Sequence, residues 1–262
     1  MGRLRIAVRL TRLLPVLALG GTMAGAIALA ERLGLRPSLA RRQRWTQAFM
    51  RRLAAALPFD VQVTGQLPNR PMLWLSNHVS WTDIPLLGML MPLSFLSKAE
   101  VRQWPVAGWL ANQAGTLFIR RGAGDAQCLR EQIGGQLSAE RPLLIFPEGT
   151  TGTGRALRPF HGRLLAGAID TGTPLQPVAI EYRRDGAPDD VAPFVGEDDL
   201  LRHLLRLLAL PRGQVRIHLL EPIASAGMER AVLAWQTQQA IQQALFGRPS
   251  GAVGKRRQAC AA

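Results

Sequence analysis

The amino-acid sequence predicts an α/β fold, a single sandwich of strands and helices, headed by a helical segment suited to a membrane. Two observations predict the sandwich. Short apolar runs, such as residues 72–75 and 143–146, alternate with longer helix-period stretches along most of the chain. That is the order expected of a sheet covered by helices. The 262 residues, 47% of them hydrophobic, supply one large core plus an accessory segment. A third observation sets residues 1–57 apart: 13–30 is almost uninterrupted apolar sequence with arginines on both flanks.

Arg3, Arg5, Arg9 and Arg12 precede that stretch, and Arg32, Arg36, Arg41, Arg42 and Arg44 follow it. Its length is at the short end of what spans a bilayer. Ala28-Leu29-Ala30 resembles a signal-peptide cleavage site. The doubled basic flanks suit an uncleaved anchor or a re-entrant hairpin equally. Residues 41–57 alternate arginine with Trp45, Phe49, Met50, Leu53 and Leu57, a basic amphipathic helix for the membrane interface or a surface helix of the domain. The domain proper, residues 58–246, opens on an alternating strand at 60–65. Further strands are predicted at 72–75, 93–96, 115–119, 143–146, 175–181 and 215–219. Helices are predicted at 84–91, 105–113, 126–139, 163–171, 200–210 and 228–246. Residues 183–199, rich in Gly, Pro and Asp, read as a loop, and 247–262 as a disordered basic tail.

Net charge is +14, nearly all of it from arginine, since Lys98 and Lys255 are the only lysines. Such a balance implies an anionic partner: a membrane surface, an anionic substrate or nucleic acid. A single tyrosine and no aromatic-rich basic strand argue against RNA. Cys128 and Cys260 are the only cysteines. They form no disulfide framework and no metal-ligand spacing, which fits a reducing compartment.

A candidate catalytic motif follows the first buried strand. In Asn77-His78-Val79-Ser80-Trp81-Thr82-Asp83 a histidine and a carboxylate stand five residues apart. They fall at a strand-to-helix turn, where side chains project into solvent or a cleft. A neutral imidazole takes a proton from a hydroxyl near neutral pH. A carboxylate nearby orients the ring and stabilises the imidazolium that forms. The competing reading is structural: Ser80-x-x-Asp83 before an apolar run is also a capping-box pattern. Three further clusters have the same double character. Arg120 and Arg121 close the 115–119 strand and could hold a phosphate or carboxylate, or simply be solvated. Phe146-Pro147-Glu148-Gly149-Thr150-Thr151-Gly152 sets a carboxylate in a glycine turn whose amides could cradle an oxyanion or polyol, or is an ordinary turn. Pro174 and Pro177 frame a strand entry.

Taken together and in this order, the blocks resemble the glycerolipid acyltransferase family typified by bacterial 1-acyl-glycerol-3-phosphate acyltransferase. Asn77-His78-x4-Asp83 is similar to its first block, and Lys98-x-Glu100 through Pro105-x-x-Gly108 to the segment that follows. Gly115-x-x-Phe118-Ile119-x-Arg121 resembles the second block, Phe146-Pro147-Glu148-Gly149-Thr150 the third, and Pro177 with its apolar neighbours the fourth. The late Glu221-Pro222-Ile223 also fits, so the resemblance covers about residues 58–225.

The resemblance implies a single mixed-sheet α/β sandwich of the glycerol-3-phosphate acyltransferase type. It implies a membrane-bound O-acyltransferase that moves a fatty acyl chain from acyl-carrier protein or acyl-CoA to the free hydroxyl of a lysoglycerolipid. His78 would be the general base and Asp83 its partner. Arg121 would bind the acceptor's phosphate; Glu148, Gly149 and Thr150, with Lys98, complete the implied substrate-binding set. No cofactor and no metal are implied beyond the acyl donor as co-substrate. The implied setting is the inner, cytoplasmic membrane, with the domain on its cytoplasmic face against anionic lipid. First among acceptors is 1-acyl-glycerol-3-phosphate, giving phosphatidic acid. Two departures bear on that choice: many members carry a basic residue where Thr151 stands and an Asp where Arg120 stands. The alternatives are lyso-ornithine lipid or another lysophospholipid. In other classes, they are a thioesterase or lipid hydrolase, or a non-enzymatic basic membrane-binding protein. No Gly-x-Ser-x-Gly elbow supports a serine hydrolase.

Overall fold

The computed structural model describes residues 1–35, 37–103, 108, 111–112, 115–119 and 125–247. The basic tail, most of the helix expected at 105–113, and Arg120 and Arg121 lie outside the described residues. Two helices open the chain. Helix α1 (Gly2–Arg32) absorbs Pro15 and runs well beyond the 13–30 stretch on its N-terminal side. By length and composition it could cross a bilayer. Helix α2 (Leu39–Ala56) starts at Ser38, whose hydroxyl accepts from the Arg41 amide, an ordinary N-cap.

The rest is an α/β sandwich on one eight-stranded sheet. Its elements are β1 (Phe59–Thr64), β2 (Leu73–Ser76), α3 (Asp83–Gly88), β3 (Ser94–Lys98), β4 (Leu117–Ile119), α4 (Asp125–Ser138), β5 (Leu143–Ile145), α5 (Ala166–Thr171), β6 (Leu175–Arg184), β7 (Ala187–Pro188), α6 (Leu200–Ala209), β8 (Gly213–Leu219) and α7 (Arg230–Phe246). The strand order is β1-β8-β6-β2-β5-β3-β4, with β7 on β6. All neighbours are parallel except β6–β8 and β6–β7, so the sheet is mixed, as expected.

Both faces of the sheet centre are covered, which is why β2 and β5 read as unbroken apolar runs rather than alternating ones. Trp74 and Leu144 point into one core with Phe59, Leu86, Leu87, Ile180 and Ile217. Leu73, Leu75, Leu143 and Ile145 point into the other with Ile133, Leu165, Leu233 and Ile241. Helix α2 is a wall of the first core. Ala54 and the following Leu57 are buried in it, Gln43 donates to Ser94 Oγ at 2.9 Å, and Gln47 and Arg51 donate to the Met89 carbonyl past the end of α3. Helix α1 docks in turn, Leu13 meeting Ala56 and Leu208, while Leu14 and Leu29 stay exposed.

One expectation is corrected. Residues 183–199 are not all loop. Strand β6 continues to Arg184, turns through Asp185 and Gly186 at φ 51° and 82°, and returns as β7. A two-residue Asp-Gly link with both φ positive is a favoured hairpin turn, here outweighed by the loop-like composition around it. For the site, what matters is that parallel β2 and β5 are neighbours. Their C-terminal loops therefore emerge side by side, where α/β sheets hold their ligands.

Candidate active site

The loop after β2 carries His78, and the first turn of α3 carries Asp83. Asn77 anchors the loop at the point where the chain leaves the sheet. Its side-chain amide donates to the Ile180 carbonyl and its oxygen accepts from the Ile180 amide, both at 2.9 Å. It thus stands in for one more residue of the β2–β6 ladder. Beyond it, His78 Nδ1 lies 2.7 Å from Asp83 Oδ2. The same oxygen accepts from the amides of Val79 at 2.7 Å and Ser80 at 3.0 Å. Asp83 Oδ1 accepts from the Tyr182 hydroxyl at 2.5 Å. Four donors thus hold a carboxylate that is fully buried. Both sequence readings of Asp83 hold geometrically: it satisfies loop amides and it meets the histidine. The capping-box hydroxyl does not take part: Ser80 Oγ makes no hydrogen bond, and the N-cap of α3 is Thr82, which makes no side-chain cap bond.

The ring of His78 lies flat on Phe146, centroids 3.8 Å apart and 11° from parallel, and its side chain is 17% exposed. With Nδ1 turned to Asp83, Nε2 is the atom left to meet a hydroxyl. The neutral tautomer has its proton on Nδ1 and a basic lone pair on Nε2.

The loop after β5 braces the same histidine from behind. Glu148 Oε1 accepts from the His78 amide and Oε2 from the Arg158 amide, both at 2.9 Å. Gly152 donates to the His78 carbonyl at 2.8 Å. Burial pushes the Glu148 carboxyl above its usual range, opposed by the two amides it accepts from. Gly149, at φ 69°, takes the left-handed turn that glycine adopts without strain, and its amide donates to the Phe146 carbonyl. Two amides of this turn, those of Gly149 and Gly152, are therefore committed within the fold rather than offered to an oxyanion. Thr151, at the position of the first departure noted in the sequence, donates its hydroxyl to the Phe194 carbonyl.

The structure brings His78, Asp83, Glu148, Gly149 and Thr150 into adjoining loops. Lys98 ends β3, on the far side of β5 from β2. Arg121 lies outside the described residues. Sequence reasoning missed Tyr182, Phe146 as the stacking plate, and His203. Trp81 Nε1 donates to His203 Nδ1 at 3.0 Å, and His203 Nε2 meets the Val191 carbonyl at 2.9 Å. Burial holds the His203 ring below its usual pKa, matching the neutral form those two bonds require. The local signal was weak, since a lone histidine in the apolar helix 200–210 reads as core.

A histidine against a buried carboxylate, braced by a second loop, stands at the C-terminal ends of β2 and β5, on the α/β sheet of an acyltransferase. The chain belongs to the glycerolipid acyltransferase family. The Acyltransferase family profile matches residues 59–181, which span β1 through most of β6 and include both loops. The chain is 60% identical to the lyso-ornithine lipid O-acyltransferase of Pseudomonas aeruginosa, over 94% of this chain and 96% of that one. It is 31% identical to the 1-acyl-sn-glycerol-3-phosphate acyltransferase of Neisseria meningitidis, over 64% of this chain and 67% of that one. Its fold is shared with the crystal structure of the 1-acyl-sn-glycerophosphate acyltransferase of Thermotoga maritima. The TM-score is 0.63 at 21% identity, covering 90% of this chain and 96% of that one.

Proposed function

We propose that this chain is a lysolipid O-acyltransferase, and that its acceptor is lyso-ornithine lipid rather than lysophosphatidate. The His78–Asp83 contact of 2.7 Å carries the chemistry. In this reading His78 Nε2 takes the proton of the acceptor hydroxyl as its oxygen attacks the thioester carbonyl. The C–O bond forms, the C–S bond breaks, and the imidazolium returns its proton to the departing thiolate. Asp83 steadies the charged ring in between. Water is not the nucleophile, and no covalent enzyme intermediate is needed.

The acceptor choice moves away from 1-acyl-glycerol-3-phosphate for two reasons. The 60% relative, matched nearly end to end, is named for lyso-ornithine lipid. Ornithine offers a carboxylate and an ammonium group where lysophosphatidate offers a phosphate. No cation stands at position 151, where Thr151 bonds to the Phe194 carbonyl, and of the arginines that could compensate, Arg120, Arg155 and Arg158, Arg155 is tied to Asp190 at 2.5 Å. Arg121 and Lys98 remain the proposed acceptor-binding cations, and Glu148, Gly149 and Thr150 the loop that holds the acceptor near His78. The acyl donor is an acyl-carrier protein or acyl-CoA thioester, with no further cofactor. Residues 1–57 attach the 58–246 domain to the cytoplasmic face of the inner membrane, where the acceptor resides.

A panel of acceptors tests the reading. Purified protein with labelled acyl-CoA or acyl-carrier protein is offered lyso-ornithine lipid, lysophosphatidate and lysophosphatidylethanolamine. The expected product is a doubly acylated ornithine lipid, with kcat/KM at least about tenfold above the other acceptors. Equal or better transfer to lysophosphatidate would return the acceptor to the phosphate class. Acyl release without any acceptor would mark a thioesterase.

A further inference from the structure

The proton transfer just proposed makes no use of Tyr182, yet the Tyr182 hydroxyl is wired to the atoms that do it. The residue sits on β6, fully within the core, with Phe59 edge-on to its ring at 5.4 Å. Its oxygen is 2.5 Å from Asp83 Oδ1 and 2.8 Å from Thr82 Oγ1. An ionised carboxylate only accepts, so the phenol proton lies in the bond to Asp83. The Thr82 hydroxyl must then donate to the phenol oxygen. Burial beside Asp83 holds the phenol well above its usual pKa, so it stays protonated and able to donate. Asp83 Oδ2 already carries His78, Val79 and Ser80. Tyr182 supplies Oδ1.

We propose that Tyr182 is a positioning residue for acyl transfer: its bond to Asp83 Oδ1 fixes the carboxylate's orientation and sets how strongly Asp83 stabilises protonated His78. The inference rests on His78 being the general base. A donor on Oδ1 draws charge from the carboxylate and makes it a weaker partner for the imidazolium. Removing that donor favours the imidazolium, so His78 stays protonated to higher pH and the acid limb of kcat/KM moves up. Strengthening the donor moves it down. The other ionisable groups near the pair are Glu148, bonded to the His78 amide, and Asp189, which acts on Tyr182. Both are unchanged by the substitutions below, so they set the position of the limb and not the direction of its shift.

Tyr182 is the only tyrosine in the chain, so growth on 3-fluorotyrosine replaces this phenol alone with a more acidic, nearly isosteric one. The experiment is kcat/KM against pH for the native, fluorotyrosine and Tyr182→Phe enzymes with the acceptor that the panel selects. The fluorinated enzyme is expected to shift the acid limb down and Tyr182→Phe to shift it up, each by roughly half a unit. In Tyr182→Phe, kcat should also fall about tenfold or more, as for a displaced reacting group, with both KM values within about twofold. If Tyr182→Phe does not fold, Thr82→Val carries the upward arm. It removes the donor to the phenol oxygen and weakens the bond to Asp83 without touching the tyrosine. Coincident acid limbs for native and fluorinated enzyme, or a raised KM at unchanged kcat, would leave Tyr182 a core residue only. Turnover that survives His78→Ala overturns the base assignment itself, so the two failures are told apart.

Discussion

His78→Ala removes the ring that meets Asp83 and leaves the backbone bonds to Glu148 and Gly152 in place. The variant should therefore fold, and acyl transfer should fall on the order of 10²–10⁴-fold, the scale of losing a general base. Turnover and a thermal melt on one preparation check this. Near-normal turnover in a folded variant would end the base assignment. Asp83→Asn is expected to behave differently. It turns one of the two oxygens into an NH2, which then faces either the Tyr182 hydroxyl or the donors on Oδ2, so a stability loss of about 2 kcal/mol or more should accompany the lost activity. His78 and Asp83 were legible in the sequence because one turn brings them together. Their supports were not. Glu148 lies 70 residues beyond His78 and Tyr182 lies 99 beyond Asp83, and only the strand order makes either pair neighbours. Arg121, singled out by its place at the end of the 115–119 strand and by the resemblance, lies outside the described residues. The head-group specificity has no local signature beyond the absence of a cation at Thr151.

Among the elements, α1 seats on α2 through Gly20. A Cβ there would come within 2.5 Å of the Phe49 ring, whereas one at Gly21 would meet nothing within 4 Å. Gly20→Leu should loosen α1 by about 1–3 kcal/mol, the usual cost of overpacking, and Gly21→Leu should not. Protease cleavage between α1 and α2, compared across the two variants, reads the difference; equal cleavage would show that the helices do not rest on this contact. Helix α6 gives a pH test through His203. Its folded pKa is depressed, so the unfolded chain binds a proton first as pH falls. Stability should drop once pH passes below the unfolded value of about 6.5, and level off below the folded one. His203→Gln should flatten that fall between about pH 7 and pH 5, measured as melting temperature. A native-like slope in His203→Gln would place the titration elsewhere. Among the described residues, the order of helices and strands other than β7 was legible in periodicity and Pro/Gly punctuation. What periodicity could not supply was partnership: β1 pairs with β8, over 150 positions later in the chain, and the β6–β7 hairpin was hidden by its own polar composition.

For the whole molecule, α1 is the candidate attachment to a bilayer. Full-length protein is expected to stay with membranes through alkaline carbonate if α1 inserts. Extraction by salt alone would reduce the attachment to electrostatics. A deletion of residues 1–35 should release a folded protein, because α2 remains to cover the core. A deletion of 1–57 should aggregate, because it removes Phe49, Ala54 and Leu57, all buried. The +14 charge and the family blocks were visible from the start. The intimacy of α2 with the core was not, since a basic amphipathic helix looks the same on a bilayer and on a domain. The long reach of Asn77 to Ile180 has a last consequence, in time. A ribosome adding about 5–20 residues per second delivers β6 roughly 5–20 s after the histidine loop. Until then the loop has neither the strand that anchors it nor the hydroxyl on Asp83. A chain released anywhere in that interval carries His78 and Asp83 without either support.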